Sequence, residues 1–420
     1  MKVEKDRGYA WVILAATFCI QFFIDGIITS FGILIEELLD EDEEIGSLPW
    51  IGSLSWGVVG LFSPLATIIL TRFNFRIVFF IGSILAAFGC FISFFVTRKL
   101  FLILSFGLTT GLGCSIMNTG CSLVMYDYFD KRFGLAMGIE TSGSGLGELV
   151  IIPIVKLLQI HLSWKGSMII LAGFFLQCSI LAVLLKPFKS DGEDNSSTRS
   201  GTEISHLKHV KNYFRNLKRV LANVEFLIYI TAFFLFTMFS ASFFFFIGLL
   251  GLKLGYTEME TTYLFSICGG LNVIGEIITG WFVELNLMNH YVFIFLMSGL
   301  FSLLTVLAPI CRNLFGSFSI SGIYGFAYSV VDSLIEFISR KIFQDDKSLF
   351  EVSIGVVYFL NGLSDVFGAP IIGQIMDHTD IIKGFQISGY LCFCGTFFVL
   401  ILIIIKYFTK KDSKYFKPLE

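Results

Sequence analysis

Long apolar stretches alternate with short polar breaks along almost the whole chain. A helix that crosses a lipid bilayer needs about 20 predominantly apolar residues. The pattern predicts twelve such helices, at residues 9–34, 48–70, 77–97, 100–124, 134–159, 164–186, 225–251, 259–283, 289–311, 314–341, 350–377 and 382–408. It therefore predicts an all-α membrane protein.

Composition excludes the other broad classes of protein. Of the 420 residues, 55% are hydrophobic and 15% are charged, whereas soluble domains carry about 25% charged residues. A soluble protein of this size needs more polar surface, and a disordered chain, a coiled coil or a collagen needs a different composition. We expect the lipid bilayer as its surroundings and no nucleic acid as a partner.

The predicted helices form two blocks of nearly equal length, 9–186 and 225–408. Equal six-helix blocks indicate duplication, which is typical of transporters with internal repeats. Residues 1–8, 187–224 and 409–420 remain as an N-terminal segment, a central loop and a C-terminal tail. If these three segments are cytoplasmic, the turns after the second, fourth and tenth helices lie on the same side. That side, with the helix ends that border it, then carries 23 of the 30 Lys and Arg residues, as the positive-inside rule expects.

The central loop 187–224 has two different parts. Its first part is polar and predicted to be disordered. In its second part, apolar residues recur every three or four positions and basic residues fill the gaps, which predicts a basic amphipathic helix along the inner leaflet. The simpler interpretation is a strut between the two blocks, and the alternative is a site for a regulatory partner or a lipid.

Ionisable residues inside the predicted helices are the most informative feature of the sequence. Each costs about 2.5–3.5 kcal/mol at the bilayer centre on insertion scales, so it normally faces a cavity or a partner. One base, Lys156, stands against eight acids: Asp25, Asp127, Glu140, Glu148, Glu276, Asp332, Glu336 and Asp365. Each acid is either part of a transport pathway or a structural hydrogen-bond partner of a neighbouring helix, and the sequence leaves both interpretations open.

Four motifs resemble those of the monocarboxylate porter family of the major facilitator superfamily. The first opens the first helix as D-R-G-Y-A-W, and the second, Y-F-D-K-R with a following A-x-G and G-S, leads into the fifth helix. Supporting pieces are L-T-R-F after the second helix, which many facilitators share, and G-A-P-I-I-G in the eleventh. They lie at residues 6–11, 128–144, 70–76 and 368–373. The resemblance implies the major facilitator fold, with twelve helices in two six-helix pseudo-repeats.

The resemblance also shows where the family's charged pattern is broken. Thr29 stands where proton-linked lactate carriers have a Lys in the first helix. Asn272 and Glu276 replace the Asp and the Arg of the family's D-x-x-x-R motif, and Asp127 replaces a basic residue. A carboxylate substrate needs a cation or hydrogen-bond donors. We therefore expect a cationic, zwitterionic or neutral substrate, or a protonated acid such as Glu276 or Asp332 that couples transport to protons.

Two sets of candidate site residues follow from these arguments. The predicted substrate and proton pathway comprises Asp25, Thr29, Asn118, Asn272, Glu276, Tyr324, Asp332, Glu336 and Asn361. The predicted cytoplasmic gating motif comprises Arg72, Arg76, Asp127, Lys131 and Arg132. The positive-inside rule alone is an alternative explanation for the basic residues of this motif.

The predicted function is secondary active transport of a small organic solute by alternating access. The solute is a monocarboxylate or a related amino-acid-like, zwitterionic metabolite. The alternative is a receptor or regulatory membrane protein on a transporter scaffold. We expect no enzymatic activity, no metal site and no cofactor. The resemblance implies the plasma membrane and leaves an accessory single-span glycoprotein and proton coupling as open expectations.

Overall fold

The structure is a computed structural model that describes residues 5–36, 49–96, 99–185, 202–285, 288–343 and 346–415. Fourteen α-helices form within these ranges. They are α1 (Tyr9–Glu36), α2 (Pro49–Leu61), α3 (Ser63–Arg72), α4 (Phe75–Ser93), α5 (Lys99–Leu102), α6 (Gly111–Tyr128), α7 (Phe133–Leu184), α8 (Thr202–Leu221), α9 (Val224–Lys253), α10 (Glu258–Glu284), α11 (His290–Leu307), α12 (Leu314–Ile342), α13 (Lys347–His378) and α14 (Ile381–Tyr415).

Nine of these helices are long and apolar enough to cross a membrane by themselves. The bent pair α2 and α3, with a 41° angle at Phe62, makes a tenth span within the described ranges. Helix α7 is 52 residues long and contains Ser163 with φ 60°, so it consists of two helices joined at a kink. Helices α5 and α6 are joined by a π-helix at Ile103–Thr110. With these two features, the described helices accommodate the twelve predicted spans.

Side-chain caps fix the start of several C-terminal helices. Asn223, Asn289, Asn313 and Asp346 each accept a hydrogen bond from a backbone N–H in the first turn of α9, α11, α12 and α13. Helix α10 begins with a reciprocal capping box between Thr257 and Glu260. Such caps satisfy backbone donors that a helix leaves unpaired, so each helix begins at a defined residue where the chain re-enters the bundle.

We call α1–α7 the N-terminal group and α9–α14 the C-terminal group. Glycines allow close contact between them. A Cβ on Gly362 of α13 would lie 2.5 Å from the Leu61 backbone nitrogen, and a Cβ on Gly138 of α7 would lie 2.4 Å from the Glu276 carbonyl oxygen. Backbones approach this closely only at small residues. The groups therefore meet along two seams, α2–α3 with α13 and the first part of α7 with α10.

Helix α8 connects the two groups and packs against α13. The Asn216 amide donates to the Ser348 hydroxyl at 3.0 Å, and Arg219 lies 3.6 Å from the Asp346 carboxylate. Tyr213 and Val220 are buried, while Phe214 and Leu221 are exposed. The amphipathic helix is thus present, and part of its apolar face contacts protein. The predicted disorder of the polar part of the loop lies outside the described residues.

Candidate functional site

Acidic side chains from both groups converge near the middle of the bundle. Asp332 of α12 interacts electrostatically with Asp25 of α1, Glu148 of α7, Glu276 of α10 and Asp365 of α13. We call these five residues the central acids. Three were expected in the pathway from sequence, and Glu148 and Asp365 join them in the structure.

Each central acid of the N-terminal group has a neighbouring hydroxyl. Thr29 donates to the Glu148 carboxylate at 3.3 Å, which connects α1 to α7. Ser144 of α7 forms a side-chain hydrogen bond with Asp25. These bonds hold the two carboxylates on facing helices. Thr29, which takes the place of the family's Lys, therefore contacts an acid directly.

Asn272 and Glu276 lie one turn apart on α10 and are almost fully buried. The side-chain oxygen of Asn272 and one carboxylate oxygen of Glu276 have no hydrogen-bond partner among the described residues. A buried polar atom without a partner loses its hydration without compensation. Both acceptors therefore lack a donor among the described residues in this conformation.

The remaining predicted pathway residues occupy different positions. Asn118 accepts a hydrogen bond from Gln21 at 2.9 Å and links α6 to α1. Asn361 is partly exposed on α13, four residues from Asp365. Tyr324 is fully buried, stacks on Phe243 with ring centroids 3.7 Å apart, and donates its hydroxyl to the Ser240 carbonyl. The structure uses Tyr324 for packing between α9 and α12 and does not bring it to the central acids.

Two further acids lie closer to the face that carries Tyr9 and the end of α14, which we call the terminal face. Glu336 of α12 accepts a hydrogen bond from Tyr358 of α13 at 2.6 Å. The Tyr358 oxygen in turn lies 2.5 Å from the Ser122 hydroxyl of α6. This chain of hydroxyls joins both groups. Glu140 of α7 interacts electrostatically with Glu336 across the same interface.

Ion pairs and rings join the two groups at the terminal face. Arg340 pairs with Asp130 at 2.7 Å and donates to the Phe129 carbonyl at 3.0 Å. Lys347 pairs with Asp127. Arg340 also lies over the rings of Tyr126 and Phe133, and Phe350 stacks on Tyr126. We call this set the terminal-face gate: Tyr126, Asp127, Asp130, Phe133, Arg340, Lys347 and Phe350.

In the structure, the residues of the predicted gating motif take part in different sets of contacts. Asp127 takes part in the terminal-face gate. Arg76 donates to the Leu185 carbonyl at 2.7 Å, Arg72 lies over the Phe73 ring, and Arg132 lies over the Trp11 ring, so these three act within the N-terminal group. Lys131 is exposed in the turn before α7.

Asp6 organises the turn that presents Asp130 to Arg340. Its carboxylate accepts backbone N–H bonds from Asp130, Lys131 and Arg132, each at 3.0 Å. Partial burial raises the pKa of Asp6, but these three donors outweigh it and hold the pKa below its ordinary value. In the sequence, Asp6 and Asp130 stand out only as letters of motifs, and Arg340 and Lys347 only through the positive-inside count. Tyr358 and Ser122 carried no signal in the sequence.

Comparison with known proteins agrees with this architecture. The sequence model of the family described as Major Facilitator Superfamily matches residues 13–344. Monocarboxylate transporter 12-B of Danio rerio is 26% identical over 434 residues, covering 98% of this chain and 91% of that protein. Monocarboxylate transporter 12 of Homo sapiens is 25% identical, covering 89% and 76%. Monocarboxylate transporter 13 of Bos taurus is 25% identical, covering 97% and 93%. The resemblance inferred from the motifs is confirmed.

Proposed function

Since the chain belongs to the Major Facilitator Superfamily and is a multi-pass membrane transporter of solutes, we propose that its cargo is a small organic solute with a cationic group. An amino-acid-like zwitterion fits best. The central acids bind the cationic group near the middle of the membrane. The receptor alternative is not favoured, because the family and the similar proteins are carriers.

One observation carries the proposal: the charged groups that the described residues bring against Asp332 are all acids. Asp25, Glu148, Glu276 and Asp365 interact electrostatically with it from four other helices. Burying several carboxylates together is costly unless a cation compensates them. An ammonium or guanidinium group of a substrate supplies that cation when it binds. A simple carboxylate adds another negative charge instead.

The relatives are named monocarboxylate transporters, and this chain keeps donors that suit a carboxylate. Asn118 and Asn361 are partly exposed amide groups on α6 and α13. Such donors bind a carboxylate without a full positive charge. A zwitterion therefore satisfies both sets of side chains, with its cationic end at the central acids and its carboxylate at these donors.

Alternating access requires two units that rock about the site. We propose residues 9–186 and 225–408 as these units, with the loop 187–224 and the termini 1–8 and 409–420 on the cytoplasmic side. The excess of Lys and Arg in these segments supports that orientation. The terminal-face gate then closes the cytoplasmic side in the described conformation. The plasma membrane and an accessory single-span glycoprotein complete the proposal by analogy with the family.

Solute uptake into proteoliposomes tests the proposed cargo. The purified chain is reconstituted and offered radiolabelled lactate, zwitterionic amino acids, guanidino acids and organic cations, with protein-free vesicles as the control. We expect saturable uptake of at least one zwitterionic or cationic solute and lactate uptake at the control level. Strong lactate uptake that Glu276→Gln abolishes would contradict the proposal.

A further inference from the structure

Glu140 is a buried acid that the proposed cargo site does not use. It is 1% exposed on the first part of α7, and neither carboxylate oxygen has a hydrogen-bond partner among the described residues. An ionised carboxylate buried without a donor or a cation is strongly disfavoured. A protonated carboxyl group is neutral and can donate a hydrogen bond itself.

Glu336 is the acid of the other group that interacts most strongly with Glu140. It is 4% exposed on α12, and the two carboxyl groups interact electrostatically across the interface. One Glu336 oxygen accepts the Tyr358 hydroxyl, and the other has no partner among the described residues. The pair thus holds three carboxyl oxygens without a donor, on opposite sides of the seam between the groups.

Among the described residues, the titratable groups that interact with the pair supply no positive charge, since Arg340, one turn from Glu336, is paired with Asp130. Those that interact with Glu140 or Glu336 from the packed helices are Asp25 of α1, Cys121 of α6, Tyr229 of α9, Glu276 of α10, Asp332 of α12 and Tyr358 of α13. Each is neutral or negative in its ordinary states. A cation at the pair must therefore come from solution.

We propose that Glu140 and Glu336 form a proton-binding site, in which one proton taken from solution resides on Glu140 and holds the two groups together while the terminal-face gate is closed. Glu336 lies one helical turn before Arg340, about 6 Å along α12, and Glu140 lies two turns after Phe133 on α7. The pair is thus built into the same two helices as the gate.

Loss of the proton leaves two facing carboxylates in a buried seam. Their repulsion favours separation of α7 from α12 and entry of water from the terminal face. The proton lost from Glu140 is taken up by this water, and the gate opens. The proposal rests on the alternating-access function above, but its test needs no substrate.

Hydrogen–deuterium exchange of the full chain in lipid nanodiscs tests the proposal. The reporters are peptides that cover 126–133 and 340–351, compared after correction for the intrinsic pH dependence of amide exchange. We expect their exchange to rise about tenfold between about pH 6 and pH 9 as the open state gains population. Glu140→Gln, which mimics the protonated acid, should keep exchange low at both pH values, and Glu336→Gln should reduce the pH response. Glu284→Gln, an exposed acid at the end of α10, should respond as the parent does.

Several results would overturn the proposal. The corrected exchange of the parent could be equal at both pH values, or Glu140→Gln could retain the parent's response. A response to Na⁺ at fixed pH would assign the pair to a metal cation instead. Thermal unfolding of each variant identifies one that fails to fold, and Glu336→Gln then provides the second test of the same pair. If no solute is transported but the pH response is present, the cargo proposal fails and the proton site stands.

Discussion

The Arg340 guanidinium lies 2.7 Å from the Asp130 carboxylate, although the two residues belong to different helix groups. Arg340 is mostly buried, with 14% of its side chain exposed, whereas Asp130 is 61% exposed. The guanidinium also lies 4.1 Å from the centroid of the Phe133 ring. Most of the contribution of Arg340 to the stability of the closed conformation therefore comes from its buried contacts, since exposed ion pairs contribute little.

Replacing Arg340 should open the terminal-face gate more than replacing Asp130. Arg340→Gln loses the hydrogen bond to Phe129 and both ring contacts, at a cost of about 2 kcal/mol for the closed state. Asp130→Asn should cost less than about 1 kcal/mol. Amide exchange in 126–133 measures both effects. Lys131→Gln, an exposed neighbour in the same turn, is the matched control, and an equal effect of all three variants would disprove the ranking.

The Asp6 carboxylate should stabilise the turn before α7 in a pH-dependent manner. The native pKa of Asp6 is below its ordinary value, so its stabilisation is present above the unfolded pKa and is lost as pH falls through the native one. Asp6→Asn should lower the free energy of unfolding by about 1 kcal/mol at neutral pH. The difference from the parent should shrink in acid. Thermal unfolding in detergent at several pH values checks this, and a constant difference would contradict it.

The Tyr358 hydroxyl should matter more than a buried tyrosine hydroxyl that has no partner among the described residues. Tyr358→Phe removes the donor to Glu336 and breaks the link to Ser122, which should cost about 1–3 kcal/mol. Tyr229→Phe is the matched control, because its hydroxyl has no partner among the described residues. It should leave stability unchanged or slightly raised. Thermal unfolding of both variants, compared with the parent, decides the point, and equal losses would refute the role of the hydroxyl chain.

The seam between α2 and α13 should not tolerate a side chain at Gly362. A Cβ there would lie 2.5 Å from the Leu61 nitrogen and 2.6 Å from the Gly57 carbonyl oxygen, both rigid backbone atoms. Gly362→Ala should therefore push the helices apart and destabilise the protein by about 1–3 kcal/mol. Gly270→Ala on α10 is the control, since nothing lies within 4 Å of its added Cβ. Similar unfolding temperatures for the two variants would contradict the tight seam.

Hydropathy predicted the helices closely where the chain is regular. The span predicted at 225–251 is Val224–Lys253, and the one predicted at 259–283 is Glu258–Glu284. The single helix predicted at 48–70 is divided at Phe62, where Pro64 opens α3. The π-helix at Ile103–Thr110 was not predicted either. Both are changes in backbone hydrogen bonding that leave the apolar pattern unchanged.

The sequence located the membrane acids but not their partners. The free-energy cost of placing a carboxylate in the bilayer can be judged from that residue alone, so Asp25 and Asp332 are evident from the sequence. The pairing of Asp127 with Lys347 joins residues 220 positions apart, which no local pattern encodes. Tyr324 was expected to donate hydrogen bonds in the pathway. Its ring instead packs against Phe243, and its hydroxyl donates to the Ser240 carbonyl. A side chain's neighbours depend on how helices pack, and spacing along one helix does not determine that.

The ratio of zwitterion uptake to lactate uptake is the sharpest test of the proposed cargo. It is measured in proteoliposomes for the parent and for Asn272→Asp combined with Glu276→Arg, which restores the acid and the base that the monocarboxylate porter family carries in this helix. We expect a ratio well above one for the parent. In the double variant a cation reaches the central acids, so the ratio should fall about tenfold or more. Robust lactate uptake by the parent, or a ratio that the double variant leaves unchanged, would contradict the account.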